Sequence, residues 1–197
     1  MGRYSIIYAD PPWRYRVWNK KGKGRTAEHH YPTMPLQDIC ALDVKRIAEK
    51  NCALFLWATF PQIQEAFQVI KAWGFTYKTA AFVWVKRNRK TPSLFIGMGH
   101  WTRANAEVCL LATKGSPKRV SARVHQVIES PIRVHSRKPD ETRERIVSLM
   151  GDASRIELFA REKMPGWDAW GDEIASDIGL TCRGPEEVRK LWNQITG

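Results

Sequence analysis

The sequence predicts a single α/β domain in which a buried sheet is flanked by helices. Three observations carry that expectation. Short apolar runs alternate with stretches of helical periodicity. A chain of 197 residues suits one domain with a sizeable core. No internal repeat or low-complexity linker divides it. A hydrophobic share of 43% sets it apart from disordered and fibrous compositions.

Ser5 to Ala9 is short, apolar and β-branched, and Asp10 with two prolines ends it, as expected of a buried strand that stops abruptly. Residues 14 to 33 are polar, basic and glycine-containing, which predicts a long mobile loop over that strand's end. Short helical turns are expected between Leu36 and Ala48. Cys52 to Ala58 then reads as a second buried strand. Pro61 opens a helix with Ile63, Ala66, Phe67, Ile70 and Trp73 on one face and Gly74 as its stop. Thr79 to Val85 and Val108 to Thr113 read as two further strands, neighbours across a basic stretch. Pro139, Asp140 and Glu141 start a helix that runs to about Met150, with acids at the positive end of its dipole. Arg155 to Phe159 is the last clear strand. Val188, Leu191, Trp192 and Ile195 give a terminal amphipathic helix, expected to pack on its own domain, with a dimer contact as the alternative. The expected division is a main domain over residues 1 to 178 and a helical extension over 179 to 197.

Thirty-two Lys and Arg against twenty acids give a formal charge of +12, which attracts a polyanion. Residues 1–31 hold seven bases and two acids, residues 86–103 five and none, and residues 114–138 seven and one. Residues 139–197 instead hold twelve acids and eight bases, so the excess lies in three segments. No apolar run reaches the length of a membrane span, and the chain enters its first strand without a signal peptide, so a cytoplasmic protein is expected. Cys40, Cys52, Cys109 and Cys182 form no CxxC pair, which predicts reduced, structural thiols and no metal. His29, His30, His100, His125 and His135 read as polar loop residues.

The motif Asp10-Pro11-Pro12-Trp13 has a chemical reading. A carboxylate and a backbone carbonyl are both acceptors. Together they can bind the two hydrogens of an aromatic amine and stabilise the nitrogen as it becomes tetrahedral and partly positive. Proline offers a carbonyl without a competing N–H, and consecutive prolines fix the turn. The following Trp13 can stack on an extruded base. As a bare motif, DPPW serves equally well as a turn after a strand, with Trp13 in the core.

The wider pattern resembles the MT-A70 family of adenine-N6 methyltransferases. ADPPW spans Ala9 to Trp13, YPTM Tyr31 to Met34, FLW Phe55 to Trp57 and VWVK Val83 to Lys86. GHW follows at Gly99 to Trp101, KG at Lys114 to Gly115, RKPDE at Arg137 to Glu141 and IELFAR at Ile156 to Arg161. GW and WGDE close the series between Gly166 and Glu173, so the likeness covers roughly residues 4 to 178, in order. It implies a Rossmann-like class I methyltransferase domain with a mixed, mostly parallel sheet. It also implies a circularly permuted order in which the catalytic motif precedes the cofactor-binding strand.

On that resemblance Asp10, Pro11, Pro12 and Trp13 are the catalytic set. S-adenosylmethionine, leaving as S-adenosylhomocysteine, would be held by Asp10, Lys138, Glu157, Phe159, Arg161, Gly171, Asp172 and Glu173. Lys138 would meet the cofactor's carboxylate. The sequence departs from the family at Ala160, where relatives have glycine, and at Lys163 and Met164, where they have His and Asn. It departs again at Asp172 and Glu173, where many have amides. Tyr31 and Glu107, with Trp13, align with the target-base pocket, although Glu107 also reads as an ordinary edge carboxylate. The basic segments would grip phosphates through Arg14, Arg16, Lys20, Lys21, Lys23 and Arg25, through Lys86, Arg87, Arg89, Lys90 and Arg103, and through Lys118, Arg119, Arg123 and Arg133. The reading is a prokaryotic or phage-type DNA enzyme, monomeric or homodimeric. An RNA adenosine enzyme and a non-catalytic nucleic-acid-binding subunit are the alternatives.

Overall fold

The computed structural model describes residues 3–14, 33–99, 101–133 and 137–196. Among these the chain forms β1 (Tyr4–Ala9), α1 (Leu36–Ala41), α2 (Val44–Ile47), β2 (Ala48–Ala58), α3 (Ile63–Ala72), β3 (Thr76–Arg87) and β4 (Ala106–Lys114). It continues with β5 (Val127–Pro131), α4 (Glu141–Met150), β6 (Arg155–Leu158), β7 (Asp168–Trp170) and α5 (Pro185–Thr196). The strands make one sheet in the order β5-β3-β4-β2-β1-β6-β7. Every ladder is parallel except the two that β4 makes with β2 and β3. This is the α/β, Rossmann-like, mostly parallel arrangement expected.

β1 and β2 read as continuous apolar runs because both of their faces are covered. Ile7, Leu54 and Leu56 enter a core with Ile39, Val69 and Trp73 of the α1–α3 region. Ile6, Tyr8, Phe55 and Trp57 enter a second core with Phe82, Trp84 and Ile146 of α4. Buried indoles need acceptors. Trp57 donates to the Tyr8 hydroxyl at 2.8 Å, Trp73 to the Ile39 carbonyl at 2.9 Å and Trp84 to the Ser130 carbonyl at 3.1 Å.

Several elements differ from expectation in extent. β2 begins at Ala48, and Pro61 sits in a 3₁₀ turn (Phe60–Gln62) ahead of α3. Phe67 is exposed and packs its ring against Tyr77, so the buried face of α3 is Ala66, Val69 and Ile70. Gly74 and Gly151, both at positive φ, end α3 and α4 in conformations that favour glycine. β5 and β7 went unread in the sequence. α5 lies against α1 and α3, with Trp192 and Ile195 packed on the first core.

Strand direction fixes which loops share an edge. β3 is antiparallel to β4, and β4 to β2, so β3 runs parallel to β1 and β2. The ends of β1, β3, β5 and β6, together with the start of β4, therefore lie on one edge of the sheet. The chain leaves β1 toward β2 on one side, while β6 and β7 lie on the other, which opens a crevice beyond the carboxyl ends of β1 and β6.

Candidate functional site

Period-2 alternation carries the core directly into the site. On the α4 face, Ile6 and Tyr8 of β1 are followed by Asp10, Phe82 and Trp84 of β3 by Lys86, and Cys109 of β4 is preceded by Glu107. At the crevice edge these three charged groups meet Lys138, which precedes Pro139 at the start of α4. Lys138 Nζ lies 2.8 and 2.7 Å from the two Asp10 oxygens and 3.2 Å from Glu107 Oε2. Lys86 donates to the other Glu107 oxygen. The result is an alternating chain Lys86–Glu107–Lys138–Asp10, with Lys138 also 5.7 Å from the Trp57 ring centroid.

Burial and partners set the charge states. Burial pushes the Asp10 carboxyl above its ordinary range against the opposing pull of Lys138. Burial also works against ionised Glu107, but Lys138 and Lys86 outweigh it and hold that carboxyl below its usual range. Burial disfavours the Lys138 cation too, and Asp10 and Glu107 reverse this, so Lys138 stays charged. Behind them Arg143 makes a bidentate pair with Glu157 at 2.7 and 2.8 Å. Burial raises the Glu157 carboxyl even so.

A cavity of about 260 Å³ is lined by Asp10, Lys138, Arg143, Glu157, Phe159 and Arg161, among others. A second, of about 120 Å³, shares Asp10, Phe159, Arg161 and Glu173 with it and adds Pro12, Met34 and Asp172. Phe159 ends β6 at φ 61°, a left-handed conformation that costs a non-glycine residue about 1–2 kcal/mol. The turn aims its ring into the crevice, edge-on to Trp170 with centroids 5.4 Å apart. Gly171 is required where it stands, because a Cβ there would collide with the Ala160 carbonyl.

The DPPW turn is tightly held. The Trp13 N–H donates to the Pro11 carbonyl at 2.8 Å, and the Met34 N–H donates to the Pro12 carbonyl at 2.9 Å. A carbonyl has two lone pairs, so Pro11 keeps acceptor capacity. Trp13, expected to stack on a base, is instead 6% exposed, with its indole donating to the Trp57 carbonyl at 3.0 Å. In that position it anchors the turn from within the core.

The structure thus brings together Asp10, Pro12, Lys138, Glu157, Phe159, Arg161, Asp172 and Glu173. Glu107 is no edge carboxylate; it is 6% exposed and committed to two lysines. Two expectations for the phosphate-gripping surface are corrected. Lys86 points inward to Glu107, leaving its side chain 17% exposed. Lys118 and Arg119 follow β4, which runs toward the opposite edge, and the neighbouring Val120 N–H bonds Leu149 at the far end of α4, so they lie away from the crevice. Arg87 and Arg133 are at the crevice edge but pair with Glu129 and Asp140. Arg89, Lys90 and Arg103 are exposed on the β3–β4 connection, and Arg14 is exposed beside DPPW. Tyr31, Arg16, Lys20, Lys21, Lys23 and Arg25 lie outside the described residues. Arg143 was missed, because a helical arginine gives no local sign of burial. Lys86 was misassigned, although its register with Phe82 and Trp84 pointed inward.

Cys40, Cys52 and Cys109 are buried free thiols, and burial pushes the first two up to about 12. Cys182 is a free exposed one. No helix among the described residues is long and apolar enough to cross a membrane.

These features define a single Rossmann-like α/β domain with a charged site at its topological switch point. Comparison with known proteins makes the assignment specific: a family model, MT-A70, matches residues 4–173, and the chain belongs to that family. It is 34% identical to the type II methyltransferase M.MunI of a Mycoplasma species, over 95% of this chain and 85% of that protein. It is 30% identical to a putative N(6)-adenosine-methyltransferase MT-A70-like protein of Medicago truncatula, over 93% of this chain and 29% of that one. It is 28% identical to the human N(6)-adenosine-methyltransferase catalytic subunit METTL3, over 97% of this chain and 31% of that one. The chain therefore spans most of the Mycoplasma enzyme and about a third of the eukaryotic proteins. It is a methyltransferase, and methyltransferases of this family use S-adenosylmethionine.

Proposed function

We propose that this protein transfers a methyl group from S-adenosylmethionine to the exocyclic N6 amine of adenine in DNA, on a base extruded from the helix. The reading is carried by Asp10, an acceptor held at the end of a central strand, facing a crevice in an MT-A70 family member. The adenine amine is a poor nucleophile because its lone pair is delocalised. Asp10 and the free lone pair of the Pro11 carbonyl accept its two hydrogens and favour the geometry that turns that pair outward. When bound, the cofactor supplies a sulfonium methyl group: the N–C bond forms as the S–C bond breaks, and the electron pair stays on sulfur. The surplus amine proton then leaves to water or to Asp10.

The crevice residues suit that cofactor. Lys138 is a buried cation able to take a carboxylate, releasing Asp10 as it does so. Phe159 offers an aromatic face, and Asp172 and Glu173 offer acceptors for hydroxyl groups. The exposed cations Arg14, Arg89, Lys90 and Arg103 grip phosphates around the opening. DNA is preferred because the likeness to the type II methyltransferase extends over nearly its whole length. The adenosine methyltransferases among the relatives support RNA as the second reading. Mass spectrometry of nucleosides, after incubation with matched DNA and RNA oligonucleotides, separates the two. N6-methyladenine in the DNA arm is the expected product; equal or greater product on RNA overturns the preference, and none on either overturns the activity.

A further inference from the structure

Lys86 continues the inward row of Phe82 and Trp84 on β3, yet it is not among the described residues that line the two cavities. Its backbone is fixed within the sheet. The Lys86 N–H donates to the Asn105 carbonyl at 2.8 Å, and the residue stands opposite Ser130 of β5. Its ammonium lies 5.0 Å from the Trp84 ring centroid and donates to one oxygen of Glu107. A cation drawn this far out of water needs a carboxylate to offset the cost. Here that carboxylate is Glu107, and any influence of Lys86 on the reaction passes through it.

Glu107 is buried, with one oxygen taken by Lys86 and the other 3.2 Å from Lys138. Lys138 carries three N–H groups, and the two Asp10 oxygens lie 2.8 and 2.7 Å from its nitrogen. Glu107 and Asp10 therefore compete for one cation, and Lys86 sets the strength of the first competitor. With Lys86 in place, half of Glu107 is already satisfied, and Lys138 can turn from Asp10 toward a new anion. Without it, a buried carboxylate would depend on Lys138 alone and draw it away from every other partner. The remaining groups that act on Asp10 do not enter this competition. Arg143 holds Glu157, Arg161 adds positive charge, and burial keeps Tyr8 and Cys109 neutral.

We propose, building on the methyl-transfer reading above, that Lys86 is a positioning residue. By neutralising one side of Glu107, it lets Lys138 exchange Asp10 for the methionine carboxylate of the cofactor.

The test uses the whole protein and two ligands, S-adenosylhomocysteine and 5′-methylthioadenosine, the second lacking the amino-acid part that Lys138 would meet. By calorimetry, Lys86→Met should weaken S-adenosylhomocysteine roughly tenfold, the scale of coupling within one charge network. It should leave 5′-methylthioadenosine within about twofold of wild type, because that ligand has no carboxylate to lose. Lys86→Arg should retain most of the affinity. In a Glu107→Gln background, Lys86→Met should cost nothing further, since the competitor is already gone. The acid limb of kcat/KM should move to higher pH in Lys86→Met, by up to about one pH unit, as Asp10 loses its hold on Lys138. Equal weakening of both ligands would make Lys86 a structural residue and overturn the proposal. So would unchanged binding of both, or an undiminished loss in the Glu107→Gln background, and each leaves the methylation reading intact. If Lys86→Met alone does not fold, comparing Glu107→Gln with the double variant still decides. If the wild-type protein binds no S-adenosylhomocysteine, the methyl-transfer reading itself fails and the role of Lys86 falls with it.

Discussion

Two sets of cations lie on the same edge of the sheet and behave in opposite ways. Lys86 and Lys138 are drawn into the α4 face, where each meets a carboxylate and an aromatic ring. Arg89, Lys90 and Arg103, on the connection that follows Lys86, stand in solvent on a segment without acids. The inner set is paired at short range in a low-dielectric setting, where position decides the outcome and salt screens little. The outer set acts at longer range on any polyanion and is screened by salt. On the proposed reading, catalytic geometry belongs to the buried set and polymer capture to the exposed one, although both draw on the charge excess that the composition shows.

The comparison breaks most sharply at Asp10. Removing one preorganised polar group at a reacting centre costs about 10²–10³ in kcat, and Asp10→Ala should lose at least that in methyl transfer measured with radiolabelled cofactor. Duplex affinity, assigned above to the outer set, should stay within a few-fold of wild type by fluorescence anisotropy. Turnover near the wild-type rate would remove Asp10 from its assigned role.

Much of this arrangement is legible in the sequence. β1 and β2 announce themselves as apolar runs ended by Asp10 and by Thr59-Phe60-Pro61, because burial on both faces leaves no polar alternation to confuse them. β5 and β7 did not, since each buries only one side chain, Ile128 in β5 and Ala169 in β7, too few to mark a period. The DPPW turn was readable as the abrupt end of a strand, but the depth of Trp13 depends on the Trp57 carbonyl 44 residues away. Strand direction was the main loss. Only the antiparallel pairing of β4 reveals that its two flanking basic loops leave from opposite edges, so that the segment with Lys118 and Arg119 cannot join the one with Arg89 and Lys90.

Glu107→Gln sharpens the inner half of the comparison. It removes the carboxylate shared by Lys86 and Lys138, and breaking a buried ion pair of this kind costs about 3 kcal/mol, readable as a lower urea midpoint. Its effect on activity is a shift with pH. In the proposed mechanism Asp10 must be ionised to accept the amine hydrogens, so the rate should fall as pH drops through its raised pKa. The negative Glu107 contributes to that raised value and competes for Lys138. In the Gln variant the acid limb of the kcat profile should therefore move to lower pH. The stability contribution of Glu107, whose folded pKa is depressed, is present above its unfolded pKa and lost as pH falls through the folded one. The variant should lack that acid sensitivity. A limb that stays in place would separate Glu107 from the ionisation of Asp10.

The smallest effect tests the outer half. Each phosphate contact adds about 0.9 to the slope of log affinity against log salt for duplex DNA, so Lys90→Ala and Arg103→Ala should each flatten that slope by roughly this amount. Both should weaken binding a few-fold and evenly across sequences, because phosphate contacts position a duplex without reading it. Lys118→Ala supplies the contrast. It removes the same charge from the same protein, but at the sheet edge where β4 ends, and the slope should not change. Anisotropy titrations at several salt concentrations measure all three variants. If Lys118→Ala flattened the slope as much as Lys90→Ala, binding would depend on the chain's total charge, and the edge from which each loop leaves the sheet would have no bearing on how DNA is held.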